Sequence, residues 1–271
     1  MVRGLWTAAS GMIAQQVNVD TISNNLANVN TVGYKKEATN FKSLLYETMQ
    51  SPSIPGVQQP PTSMQVGHGV RALPNTRTYS MGLLQETGGI TDMAIEGKGF
   101  FVVQRNGQTT YTKDGSFRTA LTEDGSYALV TSDGNPVLSD EDQSILIPKD
   151  VSIDKIVVEK DGSVYYTDEA TKTRMDIAKI KVVQFSNAEG LEAIGNNLFV
   201  QTRASGEPLV EGDSEDIVSS NIKTGFLEGS NVEVAEEMVK LIVAQRAYEL
   251  NSTAIKTVDT MLQQANELKR G

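Results

Sequence analysis

The stretch TISNNLANVNTVGYKK (residues 21–36) closes what otherwise reads as an amphipathic helix, and four asparagines crowd it. Asparagine is a mediocre helix former because its side chain competes for backbone hydrogen bonds. A helix face turned to water normally carries charges, with opposite signs four residues apart. Here no charge falls between Asp20 and Lys35. Neutral carboxamides donate and accept hydrogen bonds without the desolvation cost of an ion. The face off the apolar stripe, with Ser23, Asn24, Asn25, Asn28 and Asn30, is therefore also built for burial, against polar surfaces.

The apolar stripe repeats by seven. Leu5, Met12, Val19 and Leu26 hold one position, and Ala8, Ile22 and Val29 the one three residues later, with Gln15 interrupting. That is an a/d seam of the kind that packs on another helix. It predicts a helix over residues 5–29, about 37 Å long, with Gly33 as its left-handed C-terminal cap. The other end of the chain repeats the theme. Val234, Leu241, Tyr248, Ile255 and Leu262 step by seven, with Met238, Gln245 and Ser252 between them. SNVE (residues 230–233) fits a capping box, and no proline or glycine interrupts the following residues up to Arg270. The expected C-terminal helix is roughly 60 Å long.

Between the helices the pattern is β. Asn106-Gly107, Asp114-Gly115, Asp124-Gly125 and Asp133-Gly134 are spaced for hairpin turns, and Asp161-Gly162 continues the series. This predicts one all-β domain over 71–204. Residues 33–70 read as an extended connector, and 46–66 hold four of the eight prolines, which disfavour helix. Residues 205–229 read as a second, return connector, leaving residues 1–32 and 230–271 as the helical ends. The fold class expected is a mainly β central domain with long terminal α-helices that pair in a coiled-coil-like layer on assembly.

Composition narrows the function. The chain has 271 residues and a net charge of −10, which argues against nucleic acid as the main partner. No apolar run is long enough to span a membrane or form a cleaved secretory signal. With no cysteine and only His68, thiolate and multi-histidine metal sites and a cysteine nucleophile are excluded. EGKGFF (residues 96–101) leads into a strand, so it is a turn delivering Phe100 or Phe101 to the core and not a phosphate loop. SDEDQS (residues 139–144) lacks the glycine and distal glutamate of a calcium loop and reads as a solvated loop. His68, between two glycines, reads as a surface or interface residue. No catalytic residue, cofactor or metal is expected.

The residues at both ends carry a resemblance. LWTAASGMIAQQVNVDTISNNLANVNTVGYKK (residues 5–36) and NVEVAEEMVKLIVAQRAYELNSTAIKTVDTML (231–262) resemble the terminal signatures of bacterial flagellar rod and hook proteins. MAIEGKGFFVV (93–103) and YTKDGSF (111–117) resemble the start of that family's β-domain. LLYETM (44–49) and PTSMQVGHGVR (61–71) resemble the distal-rod members. The resemblance implies a homo-oligomeric helical tube in the periplasmic rod of the basal body, with terminal helices inside and β-domain outside. It implies proximal rod proteins, hook protein, surrounding ring proteins and the flagellar export apparatus as partners, and export without a cleaved signal peptide. It also implies that residues 33–70 form a layer between subunits that keeps the rod straight and stiff.

On this reading the subunit contacts are Leu5, Met12, Val19, Ile22, Leu26 and Val29 with Val234, Met238, Leu241, Tyr248, Ile255 and Leu262, and Asn24, Asn25 and Asn28 are neutral polar contacts between subunits. Three alternatives stand beside it: a proximal rod or hook-like component, a secreted β-domain adhesin or calcium-binding module, and a glycan hydrolase, for which no pair of acids stands out by spacing.

Overall fold

The computed structural model describes residues 2–50, 64–122, 125–149, 151–152, 155–167, 173–212 and 218–270. The chain is mainly β with two helices that pack together, α1 (Val2–Ala27) and α2 (Val234–Arg270). It divides into a helical unit, residues 1–27, 37–77 and 233–271, and a β unit, residues 28–36 and 78–232.

In the helical unit, residues 37–50 and 64–77 make the two arms of a long antiparallel ribbon. Glu37–Ala38 pairs with Thr76–Arg77, Phe41–Ser43 with Val70–Ala72, and Tyr46–Gln50 with Met64–Gly67. Each described arm, 37–50 and 64–77, spans about 45 Å, and residues 71–77, expected in the β-domain, pair here with the arm that starts at Glu37. Residues 51–63, with the four prolines, lie outside the described residues.

In the β unit, a six-stranded antiparallel sheet runs in the order Glu192–Gly195, Leu198–Val200, Gln108–Thr112, Phe100–Arg105, Val182–Gln184, Leu209–Val210. Strand alternation splits Phe100–Arg105 between two cores. Phe101 and Val103 join Phe117, Leu129 and Val137, while Phe100 and Val102 join Tyr111, Leu138 and Phe199. Both phenylalanines enter the core, on opposite faces. Two three-stranded sheets flank it: Arg118–Leu121, Tyr127–Val130, Leu146–Ile147, and Ile156–Val158, Ser163–Thr167, Arg174–Lys179.

Local signals met different fates. Asn106 and Gly107 both take positive φ and close a two-residue hairpin between Arg105 and Gln108. Asp114-Gly115 does not turn a hairpin: Asp114 Oδ1 accepts from Ser116 N–H, and Gly115 sits where a Cβ would strike the Met93 carbonyl. Asp124 lies outside the described residues. The stretch anticipated as a return connector carries strands, Asn221–Thr224 on Met93–Glu96 and Phe226–Glu228 on Leu84–Glu86. Sequence spacing reports turns only where partner strands follow at once, and these partners lie over a hundred residues away in the chain.

The helix boundaries also shift. α1 stops at Ala27, and Gly33 is not its cap. Gly33 takes a φ of +70° beside residues 113–114, where a side chain would meet the Asp114 nitrogen at 2.8 Å. α2 begins at Val234, past the expected capping box. Ser230 Oγ accepts instead from Val232 N–H, and Asn231 is held by Lys36 N–H and the Thr78 carbonyl.

The β unit buries ions. Lys35 and Glu228 side chains are both 0 % exposed and pair at 2.5 Å. Lys113 is buried too, donating to the Gly97 carbonyl and lying 5.2 Å from the Phe100 ring centre. Burial lowers its pKa to about 8, with Glu228 and Glu211 opposing that drop and Lys35 adding to it. Below pH 8 the ammonium is charged in folded and unfolded chains, so its burial cost is felt in full; above 10.5, its ordinary value, the group is neutral in both. Relative to Lys113→Met, the native protein should gain stability by about 3 kcal/mol as pH rises through this window. Thermal melts of both proteins across it measure the difference, and parallel pH profiles would exclude the effect.

Candidate subunit interface

The two helices run antiparallel, and three close approaches fix their register. A Cβ on Gly4 would touch Val258, one on Gly11 would meet Asn251 Nδ2 at 2.9 Å, and Asn25 Nδ2 donates to Glu237 Oε2 at 3.1 Å. Each pair of residue numbers has the same sum, so the helices stay in step throughout. The closest line is thus Gly4, Gly11, Asn18 and Asn25 against Glu237, Ala244, Asn251 and Val258, one residue from the predicted a positions. Small residues there let the backbones approach, and Ala8, Ala14 and Ala244 are buried alongside.

The opposite flank of α1 carries the ribbon. Asn25 Nδ2 also donates to the Glu37 carbonyl at 2.8 Å, while Asn25 Oδ1 accepts from Glu37 N–H at 3.0 Å. Thr21 Oγ1 receives bonds from Thr39 and Asn75, and Ser10 Oγ accepts from Val70 N–H. Arg3 pairs with Glu47 at 2.8 Å. α2 and the ribbon cover this stretch at Thr21, Ile22 and Asn25, whereas Ser23, Asn24 and Asn30 of the same uncharged face, expected to be buried, are exposed in the single chain.

Asn25 is accordingly 1 % exposed and satisfied within the chain, not offered to a neighbour. Asn24 is exposed, and Asn28, in the β unit, is half-buried and accepts from Thr31 Oγ1. Of the apolar candidates, Ile22 is buried; Leu5, Met12, Val19, Leu26, Val29, Leu241, Ile255 and Leu262 are half-buried; Val234, Met238 and Tyr248 are exposed. A recess of about 360 Å³ opens among Gln16, Val19, Gln245, Tyr248 and Glu249.

Further apolar side chains that the heptad reading passed over are exposed on both helices. Trp6 (72 %) and Ile13 on α1, and Val239, Ile242 (56 %), Val243 (63 %) and Leu250 on α2, stand open to solvent. Their seven-residue steps, 6 to 13 and 243 to 250, were visible as a second stripe beside the first. Phe41, Leu44, Leu45 and Tyr46 add an apolar run on one ribbon arm. Patches of this kind mark protein–protein contact surfaces. In the common register α2 also continues about ten residues past the start of α1, roughly 15 Å of helix.

Three family models match the chain: "Flagella basal body rod protein" over residues 5–35, "Flagellar hook protein FlgE/F/G D1 domain" over 94–166, and "Flagellar basal body rod FlgEFG protein C-terminal" over 223–268. The flagellar basal-body rod protein FlgG of Borreliella burgdorferi is 44% identical over the full length of both chains. The FlgG proteins of Caulobacter vibrioides (39%) and of Buchnera aphidicola from Schizaphis graminum (38%) each align over 99% of this chain and all of their own length. The chain belongs to the flagellar basal-body rod family, in its distal-rod group. It is a structural rod subunit and not an enzyme. Among the described residues no helix is long and apolar enough to cross a membrane.

Asn25→Ala in this rod subunit removes the donor to both Glu37 and Glu237 and leaves a buried carboxylate short of a partner. The change should destabilise the helical unit by about 2–3 kcal/mol. Urea unfolding followed by far-ultraviolet circular dichroism measures it; a loss within 0.5 kcal/mol, roughly the scale of a surface substitution, would remove Asn25 from this role.

Proposed function

We propose that this rod subunit polymerises through its helical unit into a straight hollow shaft, the distal rod, that carries torque from motor to hook. The observation that carries the reading is the open apolar surface of the helical unit, Trp6, Ile13, Val239, Ile242, Val243 and Leu250, beside a helix pair whose inner seam is already filled. Burying such side chains yields about 1.5–3 kcal/mol each, which repeated contacts in a helical array accumulate. The half-buried rim residues, Leu5, Met12, Val19, Leu26, Leu241, Tyr248, Ile255 and Leu262, complete their burial there in a coiled-coil-like layer, and exposed Val234 and Met238 join them.

Ribbon 37–77 suits a brace. Its arms are long and paired, its outer side chains from Phe41 to Tyr46 are exposed, and hydrogen bonds already fasten it along α1. A stiff arm of this kind, seated on an adjacent subunit, resists bending and twisting. The β unit then faces outward, toward surrounding ring proteins, with proximal rod and hook proteins at the two ends of the shaft. Delivery is through the flagellar export apparatus to the periplasmic rod.

Electron microscopy of concentrated purified protein tests the reading: straight hollow filaments are expected. Ile242→Asp with Val243→Asp should abolish them while the monomer keeps its helix content, since these side chains touch solvent in the single chain. Leu26→Asp should also abolish assembly while leaving the β unit folded. Filaments of normal length from both variants, or normal motility in cells carrying them, would overturn the interface.

A further inference from the structure

Residues 28–36 belong to the β unit but contain no regular strand, and what holds them is a set of side-chain and end-on bonds. Gly33 N–H donates to the Glu228 carbonyl at 2.8 Å, and Asn197 Nδ2 donates to the Val32 carbonyl at 2.7 Å. Lys36 N–H donates to Asn231 Oδ1, and the Lys36 carbonyl accepts from Thr78 N–H. At the centre Lys35 Nζ donates to Glu228 Oε1 and to the Ser80 carbonyl, and the same Oε1 accepts from Gly82 N–H at 2.9 Å. Glu228 Oε2 is buried with no hydrogen bond among the described residues.

Each of these partners has a cost if left alone. Without Lys35, the Glu228 carboxylate would be a buried anion with one oxygen already unsatisfied. Without Glu228, the Lys35 ammonium would enter a site that already holds the buried Lys113 nearby, whose charge acts on it unfavourably. Neither side chain is stable in the site by itself. Space is equally exclusive: Gly33 lies against the backbone of residues 113–114, and a Cβ on Gly82 would strike the Gly229 carbonyl at 2.0 Å. The segment sits against a strand, Phe226–Glu228, that is itself paired with Leu84–Glu86.

We propose that residues 28–36 and the strand Phe226–Glu228 form a mutual latch, each held in the β unit only while the other is in place, with Lys35 as its bolt. The bolt and its socket stand 193 residues apart in the chain. The anchoring of the segment directly after α1 is thus conditional on the segment directly before α2, and the reverse holds as well. A chain lacking its final strand keeps the segment after α1 unfastened. The latch acts within the single chain and does not depend on polymerisation, so its test is separate from that of the shaft.

Trypsin reads the latch directly, since Lys35 and Lys36 are its cleavage points and Lys35 is enclosed when the latch is shut. The full-length monomer is treated at a dilution where no filaments form, and fragments are followed by mass spectrometry. Cleavage of the open form tracks its population, so Glu228→Ala should raise the cut rate after Lys35 and Lys36 about a hundredfold. Hydrogen exchange of strand Phe100–Arg105 should stay protected, showing the β unit intact. The double variant Lys35→Met with Glu228→Leu, which replaces the ion pair by apolar contact, should restore resistance at Lys36. Val164→Ala, which weakens the same unit in its core, should leave both lysines protected. If Glu228→Ala fails to fold, Glu228→Gln carries the same comparison. Unchanged cleavage in a folded Glu228 variant, or equal cleavage in Val164→Ala, overturns the latch.

Discussion

The helical unit depends on one constraint: α1 must lie against two different partners along its whole length. Toward α2 it offers glycine and asparagine at seven-residue intervals, so that the backbones can approach until Gly11 meets Asn251. Toward the ribbon it offers hydroxyls and carboxamides, which match the exposed N–H and C=O groups of an extended strand edge. Asn25 serves both at once, its amide spanning Glu37 backbone and Glu237 carboxylate. A charged residue at that position would bring an ion into a closed site, and an apolar one would leave three polar groups unmet.

This arrangement leaves the large apolar side chains in an unusual place. With small and polar residues at the closest line, leucine, valine and tyrosine are pushed to the rim of the helix pair, and further valines and isoleucines lie wholly outside it. The single chain is therefore folded but not closed. Its helices are ordered by each other and by the ribbon, and the remaining apolar surface is available for other molecules. In the proposed assembly this separates two tasks, shaping the building block and joining blocks together, onto different faces of the same helices.

The β unit solves a different problem. Its central strand Phe100–Arg105 is buried on both faces, and two cores form around it, with edge-to-face aromatic contacts in each. Into this apolar setting the chain brings Lys35, Lys113 and Glu228. Replacing such an ion pair by apolar residues is often neutral for stability, whereas removing one member is costly. Buried charge is therefore a poor source of stability but a strict selector of partner, which suits segments that must meet across nearly the whole length of the chain.

Much was legible in the residues alone. The seven-residue steps gave both helices and their lengths to within a few residues, because burial on one face imposes a period whatever the partner is. Asn106-Gly107 located a hairpin, because positive φ at two successive residues admits few other uses. The lack of charge between Asp20 and Lys35 pointed to burial of the whole polar face, but in the single chain only Asn25 of that face is buried, while Ser23, Asn24 and Asn30 are exposed. What covers that helix was decided only by the tertiary structure. Asn25 meets Glu237 from 212 residues away, and Lys35 meets Glu228 from 193. Periodicity and side-chain chemistry record that a group will be buried and what kind of atom it must face; which distant segment supplies that atom depends on chain topology, and nothing local in the sequence encodes it.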